Sequence, residues 1–226
     1  MKRSEINAIM IEAEATFQRH GALPPPWAAW GADQWRAHPE QARFCAEHQM
    51  GWDITDFGCG DYSSRGLLLL CTRNGIQGVP GERSYAEKLM IVREMQETPF
   101  HRHLVKVEDI INRGGGNLVI EVFGVEADQE SGEPVTVLID GALRTVAPRE
   151  PIRLAPGESI TLVPGQMHRF YGEAGRGEVL VGEVSQVNDD YNDNIFHEPM
   201  GRFATIEEDE PPRYPLWSEL GTLVRR

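Results

Sequence analysis

Residues 101–108 read His-Arg-His-Leu-Val-Lys-Val-Glu, and this stretch decides both the fold and the chemistry that the sequence predicts. Alternate residues of a β-strand point to the same face of a sheet, so His101 and His103 can present both imidazoles to one ion. Glu108 has the opposite parity, and we therefore expect it past a bend or on the next strand. Imidazole and carboxylate groups in this arrangement indicate a site for a divalent metal.

A third imidazole, that of His168, follows a short apolar run flanked by Pro-Gly pairs at 156–157 and 164–165. Three neutral imidazoles and one carboxylate suit Mn, Fe, Co, Ni or Zn, and they leave room for oxygen ligands from water or a substrate. An isolated His-x-His pair is more often ordinary surface or core sequence than a metal site. The predicted ligand set is His101, His103, Glu108 and His168.

Short apolar runs recur through the middle of the chain, separated by clusters of Gly, Pro, Asn and Asp. These runs are residues 67–71, 89–92, 118–123, 135–139, 160–163 and 179–184. They are typical of β-strands. Because no helix-length segments lie between them to supply crossovers, we expect an antiparallel sandwich or barrel rather than a Rossmann-like sheet.

The N-terminal part has a different pattern, with apolar residues at three- and four-residue intervals from Ile6 to Phe17. Ser4 is a candidate N-cap and Gly21 a stop, which together predict one amphipathic helix, and a further helical stretch is expected around residues 32–48. We therefore expect one domain over residues 1–226. It would comprise a mainly helical extension (1–50), a barrel (about 52–200) and a C-terminal tail (201–226) that packs on the barrel or on a partner.

Composition limits the partners and the compartment. The 226 residues carry 35 acidic and 22 basic side chains, a net charge of −13, so nucleic acid and anionic membranes are poor partners. No apolar run approaches the roughly 18 residues of a membrane span, and the N-terminal apolar patch is too short for a signal peptide. Three cysteines without CxxC spacing indicate neither a disulfide framework nor a thiolate metal site, which favours a reducing cytoplasm.

The spacing of the candidate ligands resembles the two motifs of the cupin superfamily. His101 and His103 are followed after four residues by Glu108 and after six more by Gly115, and a second motif contains Gly157, Gly165 and His168. This joint pattern outweighs the ordinary interpretation of a His-x-His pair. The resemblance implies an all-β fold, a cupin β-barrel (an antiparallel jelly roll) with one metal in its mouth, here preceded by an N-terminal α-helical extension.

Longer segments resemble the bacterial D-lyxose ketol-isomerase family over nearly the full chain. They are residues 1–7, 51–58, 87–89, 108–116, 182–190, 201–203 and 207–212. The resemblance implies a manganese-dependent aldose-ketose isomerase that interconverts D-lyxose and D-xylulose, with D-mannose and D-fructose as related substrates. It also implies a homodimer. Co, Ni, Fe or Zn would also suit the ligands.

Aldose-ketose isomerisation requires a carboxylate near the metal to move a proton between C1 and C2, through a metal-stabilised enediolate. Glu183 is our first candidate: if residues 172–177 form a hairpin turn, Glu183 shares the barrel-facing side with His168. Lys88 precedes an apolar run, and its ammonium group could neutralise an oxyanion or bind a sugar hydroxyl. Asp193 and Glu198 are weaker candidates for substrate binding.

Two alternatives remain open at this level. A cupin dioxygenase could use the same three imidazoles and one carboxylate to hold iron. A non-enzymatic sugar-binding cupin could use the metal only to anchor its ligand.

Overall fold

The computed structural model describes residues 1–127 and 129–224. Its helices are α1 (Arg3–Arg19), α2 (Ala32–Ala37), α3 (Pro39–Glu47) and α4 (Trp217–Leu223), with one 3-10 turn at Pro26–Ala29. The helical stretch expected around residues 32–48 is two helices instead of one. The break falls at His38, whose backbone (φ −126°, ψ 61°) is not helical, because the residue before a proline is disfavoured from helical geometry.

The strands occupy the chain from residue 51 to residue 196. The first eight are β1 (Gly51–Thr55), β2 (Leu67–Arg73), β3 (Tyr85–Val92), β4 (Thr98–His103), β5 (Glu108–Gly115), β6 (Leu118–Phe123), β7 (Val125–Glu126) and β8 (Gln129–Glu130). The remaining seven are β9 (Val135–Ile139), β10 (Ala142–Val146), β11 (Ile152–Leu154), β12 (Ser159–Leu162), β13 (Met167–Gly172), β14 (Val179–Gln186) and β15 (Asn194–Phe196). Each of the six predicted runs forms a strand.

The strands form two main antiparallel sheets, which confirms the predicted class. One has eight strands in the order β1-β2-β3-β14-β5-β12-β9-β10, and the other has five in the order β11-β6-β13-β4-β15. Leu69, Met90 and Val181 of the first sheet belong to the same buried apolar cluster as Ile120 and Phe170 of the second. The two sheets are therefore joined by a shared core rather than by a closed ring of hydrogen bonds.

Helix α1 covers the outer face of the eight-stranded sheet. Its residues Ile6, Met10 and Phe17 are buried in a second apolar cluster together with Leu68 and Leu70 of β2. The alternate residues of β2 face the core between the sheets, so both faces of this strand are covered. This explains why residues 67–71 are an unbroken apolar run.

The C-terminal segment fixes the start of α1. Ser4 does not cap the helix as we expected; it lies in the first turn, where its amide and hydroxyl donate to Asp209 at 2.9 and 2.6 Å. The guanidinium of Arg3, whose side chain is 1% exposed, pairs with Glu208 at 2.6 Å and also with Glu219. In the part of the chain that the structure describes, no helix is long and apolar enough to cross a membrane.

Candidate metal centre

The four predicted metal ligands converge in the space between the two sheets. His101 and His103 lie on β4, His168 lies on the neighbouring β13, where it is the cross-strand partner of His101, and Glu108 begins β5 of the opposite sheet. One potential ligand atom from each of the four residues lies within 4.8 Å of the others. Glu108 can therefore face the same centre as the histidines despite its opposite parity, because it lies on the next strand.

Hydrogen bonds at the Nδ1 atoms direct the Nε2 atoms toward this centre. Nδ1 of His101 lies 2.8 Å from the carbonyl oxygen of Pro99, and Nδ1 of His168 lies 3.1 Å from that of Gln166. A carbonyl accepts but cannot donate, so both Nδ1 atoms carry the proton and both Nε2 atoms present a lone pair. Such partners orient imidazoles at metal sites.

The inward-facing nitrogens lack ordinary partners. Nε2 of His103 and Nε2 of His168 lie 3.2 and 3.1 Å from the two oxygens of Glu108. Both nitrogens are nevertheless buried, and neither makes a hydrogen bond of acceptable geometry with any residue that the structure describes. A buried polar atom without a partner is costly, and a shared cation would satisfy these atoms together. The donor set therefore fits a divalent metal.

The protonation states also suit a metal. Burial, reinforced by the neighbouring imidazoles, holds the pKa of His101 well below its usual value, and burial together with the charge of Lys106 lowers the pKa of His103. Burial alone would favour the neutral acid at Glu108, but Lys106 and His103 outweigh it and lower the pKa of this carboxyl. Neutral imidazoles and an ionised carboxylate are the forms that bind metals.

Two buried lysines contact Glu183, and one of them also contacts the predicted ligand Glu108. Lys106 Nζ lies 2.8 Å from Glu108 Oε2 and 3.0 Å from Glu183 Oε1, and Lys88 Nζ lies 3.1 Å from Glu183 Oε1. Burial would raise the pKa of Glu183, but Lys106 and Lys88 outweigh it, so the pKa is lowered. Lys106 was missed in the sequence, where the only signal was a lysine between valines in the loop after His103.

The route by which Glu183 reaches the pocket differs from our expectation. The predicted hairpin with the His168 strand is wrong: β14 pairs with β3 and β5 in the eight-stranded sheet, whereas β13 belongs to the five-stranded sheet. Both edges of β13 are already occupied by β4 and β6, so the chain after Gly172 crosses to the other sheet. Glu183 consequently reaches the cluster from the eight-stranded sheet, where Lys106 connects it to Glu108.

Glu183 lines one pocket together with three of the four predicted ligands, His101, His103 and Glu108. Its polar lining includes Lys88, Lys106, Glu183, Asp190, Asn194 and Arg202. Lys88 therefore lies within a strand and faces the pocket, rather than preceding the strand. Groups of this kind can hydrogen-bond to a molecule with many hydroxyls.

Arg202 is a pocket residue that our sequence analysis missed. Its Nη2 lies 2.7 Å from Asp53 Oδ2 and 3.1 Å from Asp190 Oδ1, and its Nη1 is buried without a hydrogen bond among the described residues. Burial, and then the charge of Asp190, raises the pKa of Asp53, whereas at Asp190 the charges of Arg202, Lys88 and Lys106 together outweigh burial and lower the pKa. Only the fold brings Arg202 to this pocket, 99 residues after His103 in the chain.

The two weaker candidates lie elsewhere. Asp193 is buried behind His103, with Oδ2 3.6 Å from His103 Nδ1, and its carboxylate accepts main-chain hydrogen bonds. Glu198 is exposed and contacts Arg65 at 3.4 Å in a separate cleft. The structure does not bring either residue into the lining of the pocket.

Comparison with known proteins gives a consistent result. A family model described as D-lyxose isomerase matches residues 1–220. A D-lyxose/D-mannose isomerase of Escherichia coli O157:H7 is 44% identical over 222 residues, covering 97% of this chain and 98% of that protein. A D-lyxose/D-mannose isomerase of Serratia proteamaculans is 46% identical over 224 residues, covering 97% of each.

Solved structures agree on the fold. The L-ribose isomerase of Acinetobacter sp. DL28, in complex with L-ribose, gives a TM-score of 0.62 at 15% identity, covering 92% of this chain and 98% of that one. The L-ribose isomerase of Cellulomonas parahominis, with L-psicose, gives 0.53 at 20% identity, covering 78% and 96%. At these identities the likeness shows the fold alone, and that fold is the cupin fold.

Proposed function

Because the chain belongs to the D-lyxose isomerase family, we propose that it interconverts D-lyxose with D-xylulose and D-mannose with D-fructose. Membership makes it a sugar isomerase, and the substrates are those in the names of its relatives. The observation that carries the proposal is the cluster of four metal-ligand side chains, which Lys106 connects to an ionised Glu183 in the pocket that His101, His103 and Glu108 also line. Neither the dioxygenase nor the sugar-binding alternative is favoured by the family.

The proposed metal ligands are His101, His103, Glu108 and His168, with Mn²⁺ as the proposed ion. When bound, the ion would act as a Lewis acid toward the sugar oxygens. The support for a metal here is the pair of buried imidazole nitrogens that have no hydrogen bond.

Glu183 is the proposed base. It removes the proton from C2, the electron pair of the C2–H bond forms the C1=C2 double bond, and O1 gains the negative charge. Return of that proton to C1, with loss of the O2 proton to O1, gives the ketose. The low pKa of Glu183 supports this role because the carboxylate is ionised and can accept a proton at neutral pH.

Lys106 and Lys88 are the proposed partners of that base. They hold the Glu183 carboxylate at 3.0 and 3.1 Å, and both ammonium groups line the same pocket as the ligands. A fixed positive charge in a water-poor pocket stabilises negative charge as it develops on the substrate. Arg202, with its unpaired Nη1, is a proposed donor to sugar hydroxyls.

An anaerobic assay tests the proposal. The purified protein, loaded with Mn²⁺, is incubated without oxygen with lyxose, mannose and a panel of other aldoses, and ketose is measured. We expect xylulose from lyxose and fructose from mannose, because isomerisation consumes no oxygen. Absence of ketose from every aldose with Mn²⁺ present contradicts the proposal.

We also propose a single domain, a homodimer and a cytoplasmic location. Contacts of Arg3 with Glu208 and Glu219, which join the two ends of the chain, support one domain. The family resemblance supports the homodimer, which light scattering tests. The three free cysteines support a reducing compartment.

A further inference from the structure

One short segment after β14, residues 188–193, reaches both of the lysines that flank Glu183. At its start, Asn188 Oδ1 accepts a hydrogen bond of 2.6 Å from Lys88 Nζ. At its end, the Asp193 carboxylate accepts hydrogen bonds from the main chain that leads to Lys106. The two ends of one segment thus contact the supports of one carboxylate.

Asn188 is itself held rigidly. The side chain of Asn74 donates from Nδ2 to the carbonyl of Asn188 and accepts at Oδ1 from its amide, each at 2.9 Å. Nδ2 of Asn74 also donates to the carbonyl of His48 at 2.9 Å. Both asparagines are buried. The Oδ1 atom of Asn188, which accepts the hydrogen bond from Lys88, is therefore held in a fixed position.

Asp193 holds the other lysine through its backbone. The amides of Leu104 and Val105 donate to Oδ1 at 2.9 and 2.8 Å, and the amide of Lys106 donates to Oδ2 at 3.3 Å. Successive amides around one carboxylate form an anion-binding concavity, which fixes the main chain on which they lie. The Lys106 side chain then extends from a fixed point to Glu183, 3.0 Å away.

This fixation matters because a lysine side chain has a flexible four-carbon stem. A shift of about 1 Å in a catalytic group can cost about 100-fold in rate. Within the part of the chain that the structure describes, the side-chain hydrogen bonds to Glu183 come from Lys88 and Lys106. The position of the base therefore depends on where these two ammonium groups are held.

We infer that Asn188 and Asp193, at the two ends of this segment, are positioning residues: Asn188 holds Lys88 and Asp193 holds the backbone of Lys106, so that both lysines keep Glu183 in place. The inference rests on the proposed function, since it assigns these residues to the support of its base. Neither Asn188 nor Asp193 touches the substrate in this account, and both act through the lysines.

The Asn188→Ala variant tests the first contact, with Asn192→Ala as its matched control. Asn192 lies in the same segment, but its side chain is exposed and donates only to Asp189 at 2.8 Å. For Asn188→Ala we expect kcat with lyxose to fall at least tenfold and by a larger factor than KM rises, with bound Mn²⁺ per chain unchanged. Asn192→Ala is expected to match the wild type.

The Asp193→Asn variant tests the second contact, with Asp189→Asn as its control. We expect a similar loss of kcat and, because Asp193 lies 3.6 Å from His103 Nδ1, weaker binding of Mn²⁺ by the substrate-free protein in titration calorimetry. Should Asn188→Ala fail to fold, Asn188→Asp replaces it, since its added charge draws Lys88 from Glu183 and kcat is again expected to fall.

The outcomes separate the two proposals. An active wild type, together with Asn188 and Asp193 variants whose kcat lies within twofold of their controls, overturns the positioning role alone. Equal fractional losses of kcat and of bound Mn²⁺ in the Asn188 variant also overturn it, because they indicate loss of folded protein. A wild type that forms no ketose overturns the proposed function, and the inference with it.

Discussion

Lys88 and Glu183 are direct cross-strand partners on β3 and β14, and their charged groups meet at 3.1 Å in the pocket that His101, His103 and Glu108 also line. Both side chains are buried, so each charge depends on its partner. Strand pairing brings this lysine next to Glu183, although the two residues are 95 positions apart in the chain.

We predict that Glu183→Gln abolishes most turnover and leaves metal binding intact. Glutamine keeps the size of the side chain but cannot accept the C2 proton, so kcat should fall about 10² to 10⁴-fold. Coupled assay of xylulose and metal analysis of the same sample check this. The exposed Glu126→Gln change should leave both unchanged, and full turnover by the Glu183 variant would remove it as the base.

Metal removal should destabilise the protein. An ion that binds only the folded state adds about 2.7 kcal/mol at a concentration 100 times its Kd. We therefore expect chelation to lower the unfolding temperature and Mn²⁺ to restore it, as measured by differential scanning fluorimetry. His168→Ala should abolish the response and His38→Ala, at an exposed position, should retain it; a response that survives in His168→Ala contradicts this ligand set.

Replacing Arg202 with Met should leave the buried carboxylates of Asp53 and Asp190 unpaired, which costs about 3–5 kcal/mol of unfolding free energy. Without the guanidinium both carboxyls should have raised pKa values in the folded state. A raised pKa gives stability that is present at low pH and lost as the pH rises. Urea denaturation should therefore show that the variant loses more unfolding free energy, relative to the wild type, at pH 8 than at pH 5.

The matched change for that experiment is Arg144→Met, at an exposed side chain 3.9 Å from Glu150. We expect it to change the unfolding free energy by less than about 1 kcal/mol, as for other surface pairs. A deficit in Arg202→Met that does not vary with pH would contradict the assigned charge pairing.

Thiol labelling should separate the three cysteines. Burial raises the pKa of Cys45 to about 11 and that of Cys71 to about 12, so at pH 8 nearly all of each is the unreactive thiol. Cys59 is exposed. We expect one thiol per chain to react with a disulfide reagent in the native protein and three in denaturant. Two or more rapid reactions in the native state would contradict the burial of Cys45 or Cys71.

Local patterns were sufficient to predict the strands and the four side chains that the structure brings together. The runs at 118–123 and 179–184 became β6 and β14 because alternation and apolar content act over a few residues. The motif spacing likewise located His101 and His168, which the structure brings together.

Features that depend on distant partners could not be predicted in this way. The first turn of α1 is completed by Asp209 rather than by a local cap, and Arg202 enters the pocket from the C-terminal segment. No periodic pattern in the sequence marked Lys106 as a residue of the pocket. The assumed hairpin failed because the sequence does not reveal that the edges of β13 are occupied by β4 and β6.

The division of the ligands between the sheets has a consequence for the order of folding. The three histidines lie on the five-stranded sheet and Glu108 on the eight-stranded one. Neither sheet alone assembles the complete donor set, so full coordination must come late, after the sheets have docked. A cation held by all four side chains would tie the two sheets together, and its slow release would report their separation.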